Sequence, residues 1–239
     1  MWVFLVILVV IVIFFRTPQG KGIIGEIKVR IALVKNKEDK KYVINNIIVV
    51  NDGKSSEIDH IVLKKTGIFV IETKNYSGQI YGGENELNWT QTLSYEKVKN
   101  SFYNPILQNR THIYQLSKIL ERNDCFVSLI SFPKADLKTK TVTHVGNIRS
   151  VKNEINKKKK ELLTTEELNY YYSILLELKG SPKRKRRDHV KSIKKMKSDI
   201  ENNICPRCGR ELVIRKGRYD SFYGCLGYPE CTFKKKITN

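Results

Sequence analysis

Asp59, Glu72 and Lys74 are residues whose types and spacing could do chemistry. Glu72 and Lys74 are two positions apart in a run rich in β-branched and aromatic residues, and a strand directs residues i and i+2 to the same face. Asp59 precedes a turn at residues 65–67, so antiparallel pairing of the flanking strands would bring it beside Glu72. The pattern predicts two carboxylates and one ammonium group at one end of a sheet.

Two neighbouring carboxylates raise each other's pKa unless a cation lies between them. Because hard oxygen ligands select Mg²⁺ or Mn²⁺, we expect such an ion at Asp59 and Glu72, with the Thr73 carbonyl as a candidate further ligand. Lys74 would then orient the attacking water or stabilise charge on a phosphoryl oxygen. The alternative interpretation is that these residues are ordinary surface charge.

A second set of metal ligands consists of four cysteines near the C-terminus. Two residues separate Cys205 from Cys208, sixteen separate Cys208 from Cys225, and five separate Cys225 from Cys231. Four thiolates in two knuckles predict one closed, structural Zn²⁺ site. The tail is too small to bury a core, so the metal would supply most of its folding free energy.

Aromatic and basic residues interleave in this tail. Exposed rings stack on bases while cations contact phosphates, so the pattern predicts binding to nucleic acid. An alternative is that some of the rings form the small core of the tail. The predicted DNA contacts are Arg207, Arg215, Arg218, Tyr219, Phe222, Tyr223 and Tyr228.

The composition is strongly basic, with 44 Lys and Arg residues against 24 acidic ones and a formal charge of +20. This charge favours polyanionic partners, either nucleic acid or anionic lipid. Only Cys125 lies apart from the cysteine cluster, which excludes a disulfide scaffold and indicates a reducing compartment.

Residues 2–15 are apolar without interruption, which predicts a single membrane anchor over residues 1–17. Fourteen helical residues reach roughly 21 Å, which is less than a hydrocarbon core of ~30 Å, so the flanks or local thinning must supply the rest. Basic residues follow this segment and none precedes it, which predicts an external N-terminus and a cytoplasmic bulk of the chain at the inner or plasma membrane. The alternative interpretation is a buried core helix.

The remaining elements predict an α/β or α+β fold with a mixed central sheet flanked by helices. A helix after Pro18 is followed by strands in residues 42–50, 57–63, 67–74 and 78–82, and then by a helix over residues 105–122. Two further strands, in 125–132 and 140–145, precede a closing helix over 164–178. We expect a catalytic domain at 18–180 and a zinc ribbon at 204–239. Between them, 181–203 form a basic linker that is either an inert tether or an arm for polyanions.

The segment EIDHIVLKKTGIFVIETKNYSG resembles the core of the nuclease-related domain family. Members of this family are similar to the PD-(D/E)XK nucleases. The resemblance implies that Asp59 and the triplet 72–74 are the metal-and-lysine motif. The segment GKGIIGEIKVRIAL resembles the family's opening helix, which implies that Glu26 is an additional acidic residue. NPILQNRTHIYQL resembles a helical segment of the family in which Gln108 and His112 lie one turn apart, and Gln108 is a candidate catalytic residue. The resemblance covers about residues 20 to 132.

The tail resembles the C-terminal zinc ribbons of bacterial type I topoisomerases in its motifs CPRCG, GRYDSFYGC and YPEC, which implies binding to single-stranded DNA. Together the two resemblances predict a membrane-anchored, metal-dependent nuclease that hydrolyses DNA phosphodiesters. Two alternatives remain open. One is a catalytically inactive protein that tethers nucleic acid to the membrane. The other is a protein that binds anionic lipid through its positive charge and docks another protein through its ribbon.

Overall fold

The computed structural model describes residues 2–34, 42–51, 54–93, 98–179, 191, 194–195, 198–206, 208–217, 221–231 and 233–236. The chain divides into two compact units, residues 1–182 and 183–239. The predicted linker over 181–203 lies mostly outside the described residues.

Two helices open the first unit. Helix α1 spans Trp2–Arg16, and α2 spans Pro18–Leu33. The Thr17 hydroxyl caps α2 by accepting a hydrogen bond from the Gly20 N–H at 3.1 Å, and Pro18 occupies the first turn, where no N–H is needed. Within the described residues no single helix combines the length and the apolar composition of a membrane span. The bent pair Phe4–Arg16 and Gln19–Leu33 passes that test only when taken together, across a bend of 80°.

The predicted mixed central sheet is confirmed, with the strand order β1-β2-β3-β7-β9. Strands β1, β2 and β3 pair antiparallel, whereas β7 pairs parallel with both β3 and β9. The strands are β1 (Val43–Asn51), β2 (Lys54–Lys64), β3 (Gly67–Thr73), β7 (Phe126–Ser131) and β9 (His144–Gly146). Gly67 starts β3 with a φ of +137°, a conformation that residues with a side chain rarely adopt.

Helices cover both faces of this sheet. Helices α3 (Pro105–Ile119) and α5 (Thr165–Lys179) bury Leu116 and Leu175 against one face. Helices α2 and α4 (Ile148–Lys157) bury Val29 and Val151 against the other. Helix α5, which the sequence predicts over 164–178, begins at a reciprocal capping box between Thr164 and Glu167.

A second sheet has the order β6-β5-β4-β8 and packs around the buried Trp89. Its strands are β4 (Gln79–Tyr81), β5 (Asn88–Leu93), β6 (Val98–Tyr103) and β8 (Asp136–Leu137). The sequence pattern predicts β4 but does not predict β5, β6, β8 or helix α4. β6 is largely exposed and carries no strong apolar period, whereas α4 repeats apolar residues at helical spacing in Ile148, Val151 and Ile155 and buries two of them.

The second unit holds three antiparallel strands, β10 (Leu212–Lys216), β11 (Ser221–Cys225) and β12 (Lys234–Lys236). Its small core consists of three buried cysteines and Leu212, with Ile200, Tyr223 and Phe233 packed against them.

Candidate active site and zinc centre

The predicted β2–β3 hairpin brings Asp59 to Glu72. His60 pairs with Ile71, and the same register places Asp59 across from Glu72. The Thr73 N–H donates a 2.7 Å hydrogen bond to Asp59 Oδ2, which fixes that carboxylate at the end of β3. Strand geometry therefore produces the juxtaposition that the spacing of these residues predicts.

Glu72 is the most enclosed of these groups, with a side chain only 2% exposed. Its Oε1 accepts a 2.7 Å hydrogen bond from Lys74 Nζ, and its Oε2 lies 3.3 Å from His112 Nε2. Burial raises the pKa of Glu72, but His112 and Lys74 outweigh burial and hold the pKa below its ordinary value. Glu72 is therefore an ionised carboxylate inside the protein.

The pKa of Asp59 moves the other way. Burial raises it first and the Glu72 charge raises it further, while the Thr73 N–H and Lys74 only partly oppose them, so the pKa of Asp59 lies well above its ordinary value. Burial and the neighbouring Glu72 carboxylate both disfavour the ionised form of Asp59. A divalent cation bound by the two carboxylates would offset that cost. The two side chains therefore fit such an ion.

Among the described residues, the four cysteines alone form a group of three or more His, Cys, Asp or Glu side chains with all ligand atoms within 4.8 Å of one another. Asp59, Glu72 and Glu26 do not make a preformed cage of that kind. Mg²⁺ is commonly held by one or two carboxylates together with waters and substrate phosphate.

Helix α3 supplies a second polar layer. Lys74 Nζ also donates to Gln108 Oε1 at 3.0 Å, and Gln108 Nε2 lies 3.4 Å from His112 Nε2. Burial lowers the pKa of Lys74, yet the Glu72 carboxylate outweighs it, and the net pKa lies above the ordinary value. Lys74 is therefore a charged ammonium held between a strand carboxylate and a helix amide.

Glu26 approaches the same region from α2. Its Oε2 accepts a 2.8 Å hydrogen bond from Asn46 Nδ2. Asn46 lies in β1 between the pairs Asn45–His60 and Ile47–Ile58, which places it across from Asp59, and its φ is +53°. Asn46 is not among the predicted site residues, although two adjacent asparagines inside an apolar strand are an irregularity that marks the position.

The two histidines near this site have different surroundings. His60 is fully buried on the other face of β2 from Asp59, its Nδ1 lies 2.6 Å from Asn45 Oδ1, and burial lowers its pKa to about 4. His112, which the sequence left without a role, contacts Glu72.

The second unit assembles the predicted zinc ligands. The Sγ atoms of Cys208 and Cys225 are 3.2 Å apart, and those of Cys205 and Cys231 are 3.7 Å apart. The Gly227 N–H donates to Cys225 Sγ at 3.2 Å, a contact that favours a thiolate ligand. Four clustered sulfur atoms fit a closed tetrahedral Zn²⁺ site.

The predicted DNA contacts separate into three groups. Tyr228 is 64% exposed, and the Arg215 guanidinium lies 5.9 Å from the centre of its ring. Tyr223 packs against the cysteine core, and Phe222 is half-buried. Arg207, Arg218 and Tyr219 lie outside the described residues.

A mixed sheet flanked by helices, with an acidic pair and a lysine at the end of one hairpin, defines a nuclease-like α/β protein that carries a separate zinc ribbon. Comparison with known proteins agrees. Residues 21–133 match the model of the nuclease-related domain, and residues 202–239 match the topoisomerase DNA-binding C4 zinc finger. The chain belongs to the nuclease-related domain family.

The relatives fall into two kinds. An uncharacterized protein of Bacillus anthracis is 35% identical over 182 residues, which cover 74% of this chain and 85% of that protein. DNA topoisomerase 1 of Methanocaldococcus jannaschii is 42% identical over 45 residues, 19% of this chain and only 6% of the topoisomerase. The uncharacterized protein YrdD of Escherichia coli is 47% identical over 36 residues, 15% of this chain and 20% of its own length. No solved structure matches this chain.

Proposed function

We propose that this protein is a membrane-anchored, metal-dependent nuclease that hydrolyses DNA phosphodiesters and holds DNA with its zinc ribbon. The observation that carries the proposal is the junction of Asp59, Glu72 and Lys74 at the end of β3. The matches to a nuclease-related domain and to a DNA-binding zinc finger support the same substrate class.

Asp59 and Glu72 are the residues that would hold the cation. A divalent ion bound there would supply positive charge that offsets both carboxylates and the charge developing on the scissile phosphate. The Thr73 N–H orients one Asp59 oxygen, and the His112 ring orients one Glu72 oxygen. Both carboxylates are thus restrained before substrate arrives, which reduces the reorganisation needed at the reaction.

Lys74 is the group that would contact the substrate phosphate or the attacking water. Its ammonium group is held by Glu72 and Gln108 and remains charged at neutral pH. Gln108 would align Lys74 through its carbonyl oxygen. Glu26, fixed by Asn46, would add a further acidic group at the Asp59 side of the site.

The ribbon would hold the DNA strand. Tyr228 presents an exposed ring for base stacking, and Arg215 lies beside it as a phosphate contact. Arg207, Arg218, Tyr219 and Phe222 complete the proposed contact set, whereas Tyr223 packs against the cysteine core. Single-stranded DNA is the proposed ligand because stacking needs unpaired bases.

The apolar segment of α1 would anchor the chain in the inner or plasma membrane, with the nuclease domain and the ribbon in the cytoplasm. In this segment the large apolar side chains of the described residues have exposed fractions of 39–81%. The basic residues that follow it support the orientation.

The experiment is DNA cleavage by the full chain in detergent, with and without Mg²⁺ or Mn²⁺, on end-labelled linear and on circular DNA. Asp59→Asn and Lys74→Met should each lower the rate at least about a hundredfold. The matched control is Asp136→Asn with Lys138→Met, since this exposed ion pair has the two-residue spacing of Glu72 and Lys74 and a 3.1 Å contact. The control should cleave at the wild-type rate.

A second candidate function is a catalytically inactive tether for nucleic acid. The direct contact of Lys74 with Glu72 favours it, because a lysine can replace a cation as the partner of a buried carboxylate. Wild-type protein that binds DNA but leaves it intact at every divalent ion tested would establish the tether. Cleavage by Lys74→Met at the wild-type rate would remove Lys74 from the mechanism.

A further inference from the structure

Helix α2 carries an apolar stripe that nothing in the described part of the structure covers. Ile23, Ile27 and Ile31 recur every four residues, and their side chains are 40%, 45% and 68% exposed. A helix turns about 100° per residue, so these three lie on one side of it.

The opposite side of α2 belongs to the nuclease domain. Val29 and Leu33 are buried against the central sheet, and Gly25 lies so close to Asn75 that a side chain there would collide with it. Positions 25, 29 and 33 also recur every four residues, two positions out of step with the exposed isoleucines. They therefore face away from the stripe.

Basic side chains flank the stripe. Lys28 and Arg30 are exposed at its edges, and Glu26 is the one acidic residue of α2. An exposed stripe of isoleucines with lysine and arginine at its edges has the composition of helix faces that lie in a membrane interface. The flanking cations would contact the phosphates of anionic lipid.

The geometry at Thr17 supports the same arrangement. Helix α1 is apolar on all sides, and α2 leaves it at a bend of 80°. If α1 enters the bilayer along its normal, α2 is directed nearly parallel to the surface. The helix that carries the isoleucine stripe follows the proposed anchor directly in the chain.

We propose that α2 lies on the membrane surface with Ile23, Ile27 and Ile31 inserted among the headgroups of an anionic bilayer. This inference rests on the membrane anchor in the proposed function and adds the orientation of the domain. Because Glu26 lies on the same helix and Gly25 packs against Asn75, one residue after Lys74, the candidate active site is held beside the bilayer. DNA would then be cleaved at the membrane surface.

The test measures tryptophan quenching by brominated lipids in phosphatidylglycerol–phosphatidylcholine vesicles. The full chain has two tryptophans, Trp2 in α1 and the buried Trp89. In a Trp2→Phe background, Ile27→Trp reports on the stripe. Tyr170→Trp is the matched control, because Tyr170 is a 62% exposed residue on α5. Wild-type Trp2 reports on the anchor.

We expect Ile27→Trp to lose fluorescence with bromines near the headgroups more than with bromines near the bilayer centre, whereas Tyr170→Trp is unaffected. Quenching of Trp2 without quenching at position 27 would overturn the surface placement and leave the anchor intact. Equal quenching at position 27 by deep and shallow bromines would show α2 crossing the bilayer, which also overturns the proposal. A blue shift at position 27 without quenching would assign the stripe to a second copy of the chain. Quenching at neither Trp2 nor position 27 would overturn both the membrane anchor and the surface placement of α2.

Discussion

At Asn46 the backbone of β1 adopts a φ of +53°, and its side chain holds Glu26 beside Asp59. Asparagine tolerates this left-handed conformation better than most residues do, and such positions are frequent at functional sites. Asn46 therefore combines a backbone role with a side-chain role, and two substitutions can separate them.

Asn46→Gly should lower DNA cleavage while changing the free energy of unfolding little, because glycine keeps the conformation but loses the amide. Asn46→Ala should lose the same activity and also destabilise the fold by roughly 1 kcal/mol, because alanine is strained at positive φ. Urea unfolding and cleavage rates measured on both variants check this. Equal activity of Asn46→Gly and the wild type would show that Glu26 needs no positioning by Asn46.

Tyr228 and Tyr223 provide a second comparison at the residue scale. Tyr228→Ala should weaken binding to single-stranded DNA by about 1–3 kcal/mol, the range for loss of one stacked base, with little loss of stability. Tyr223→Ala should instead lower the stability of the ribbon, because Tyr223 packs against the cysteine core. Fluorescence anisotropy with a labelled oligonucleotide measures the first effect and thermal unfolding the second. Identical binding losses would contradict this division.

At the scale of elements, the Glu84 carboxylate connects the loop after β4 to α3 and to the segment before β9. Glu84 accepts hydrogen bonds from the Val142 and Thr143 N–H groups, both at 3.0 Å, and pairs with Arg110 on α3. Burial raises the pKa of Glu84, but the Thr143 hydrogen bonds and Arg110 outweigh it and lower the pKa below its ordinary value. The ionised form is the one that stabilises the fold.

Glu84→Gln should therefore destabilise the protein by roughly 2 kcal/mol at neutral pH, the range for hydrogen bonds to a charged group. Because the folded-state pKa is lowered, this contribution is present above the ordinary glutamate pKa and disappears as the pH falls through the folded-state value. Urea unfolding of the variant and the wild type across the acidic range measures the difference. Glu86→Gln, an exposed change in the same loop, should leave the free energy of unfolding at neutral pH unchanged. A constant gap at all pH values would contradict the role of the charge.

For the whole molecule, thiol reactivity distinguishes the two units. Burial raises the pKa of the Cys125 thiol to about 11, so at pH 8 it is almost entirely protonated and unreactive. The other four of the five cysteines are the zinc ligands. Zinc-loaded protein should therefore react slowly with a thiol reagent. A strong chelator should expose four thiols and unfold the ribbon, since the metal holds it together.

Cys125 should become reactive only when the first unit unfolds. Circular dichroism during chelation checks that the central sheet persists. Rapid reaction of five thiols on chelation alone would show that the first unit depends on the metal as well.

The net charge of +20 also acts at the scale of the whole chain. Contacts between many cations and DNA phosphates release counterions, so affinity should fall steeply as salt rises. Arg215→Ala should reduce the slope of log affinity against log salt by about 1. An unchanged slope would place Arg215 away from the DNA backbone.

Much of the candidate site could be predicted from short stretches of sequence. Glu72 and Lys74 share a strand face because the side-chain period of a strand is two, and the turn before Gly67 sets the pairing that brings in Asp59. The zinc ligands were likewise predictable, because two short cysteine spacings form two knuckles wherever they occur. The continuous apolar run of β3 and the helical spacing of apolar residues in α3 were predictable for the same local reason.

What the sequence by itself determined is therefore the chemistry carried by neighbouring residues: the hairpin motif, the cysteine cluster, the charge and the apolar N-terminus. Only the tertiary structure decided that His112 meets Glu72, that Gln108 holds Lys74, and that Asn46 holds Glu26. Each of these contacts joins a helix to a strand of the central sheet or to the residue directly after it, so its existence depends on how that helix docks on the sheet. Docking is set by the packing of whole apolar faces, and no single stretch of sequence contains that information.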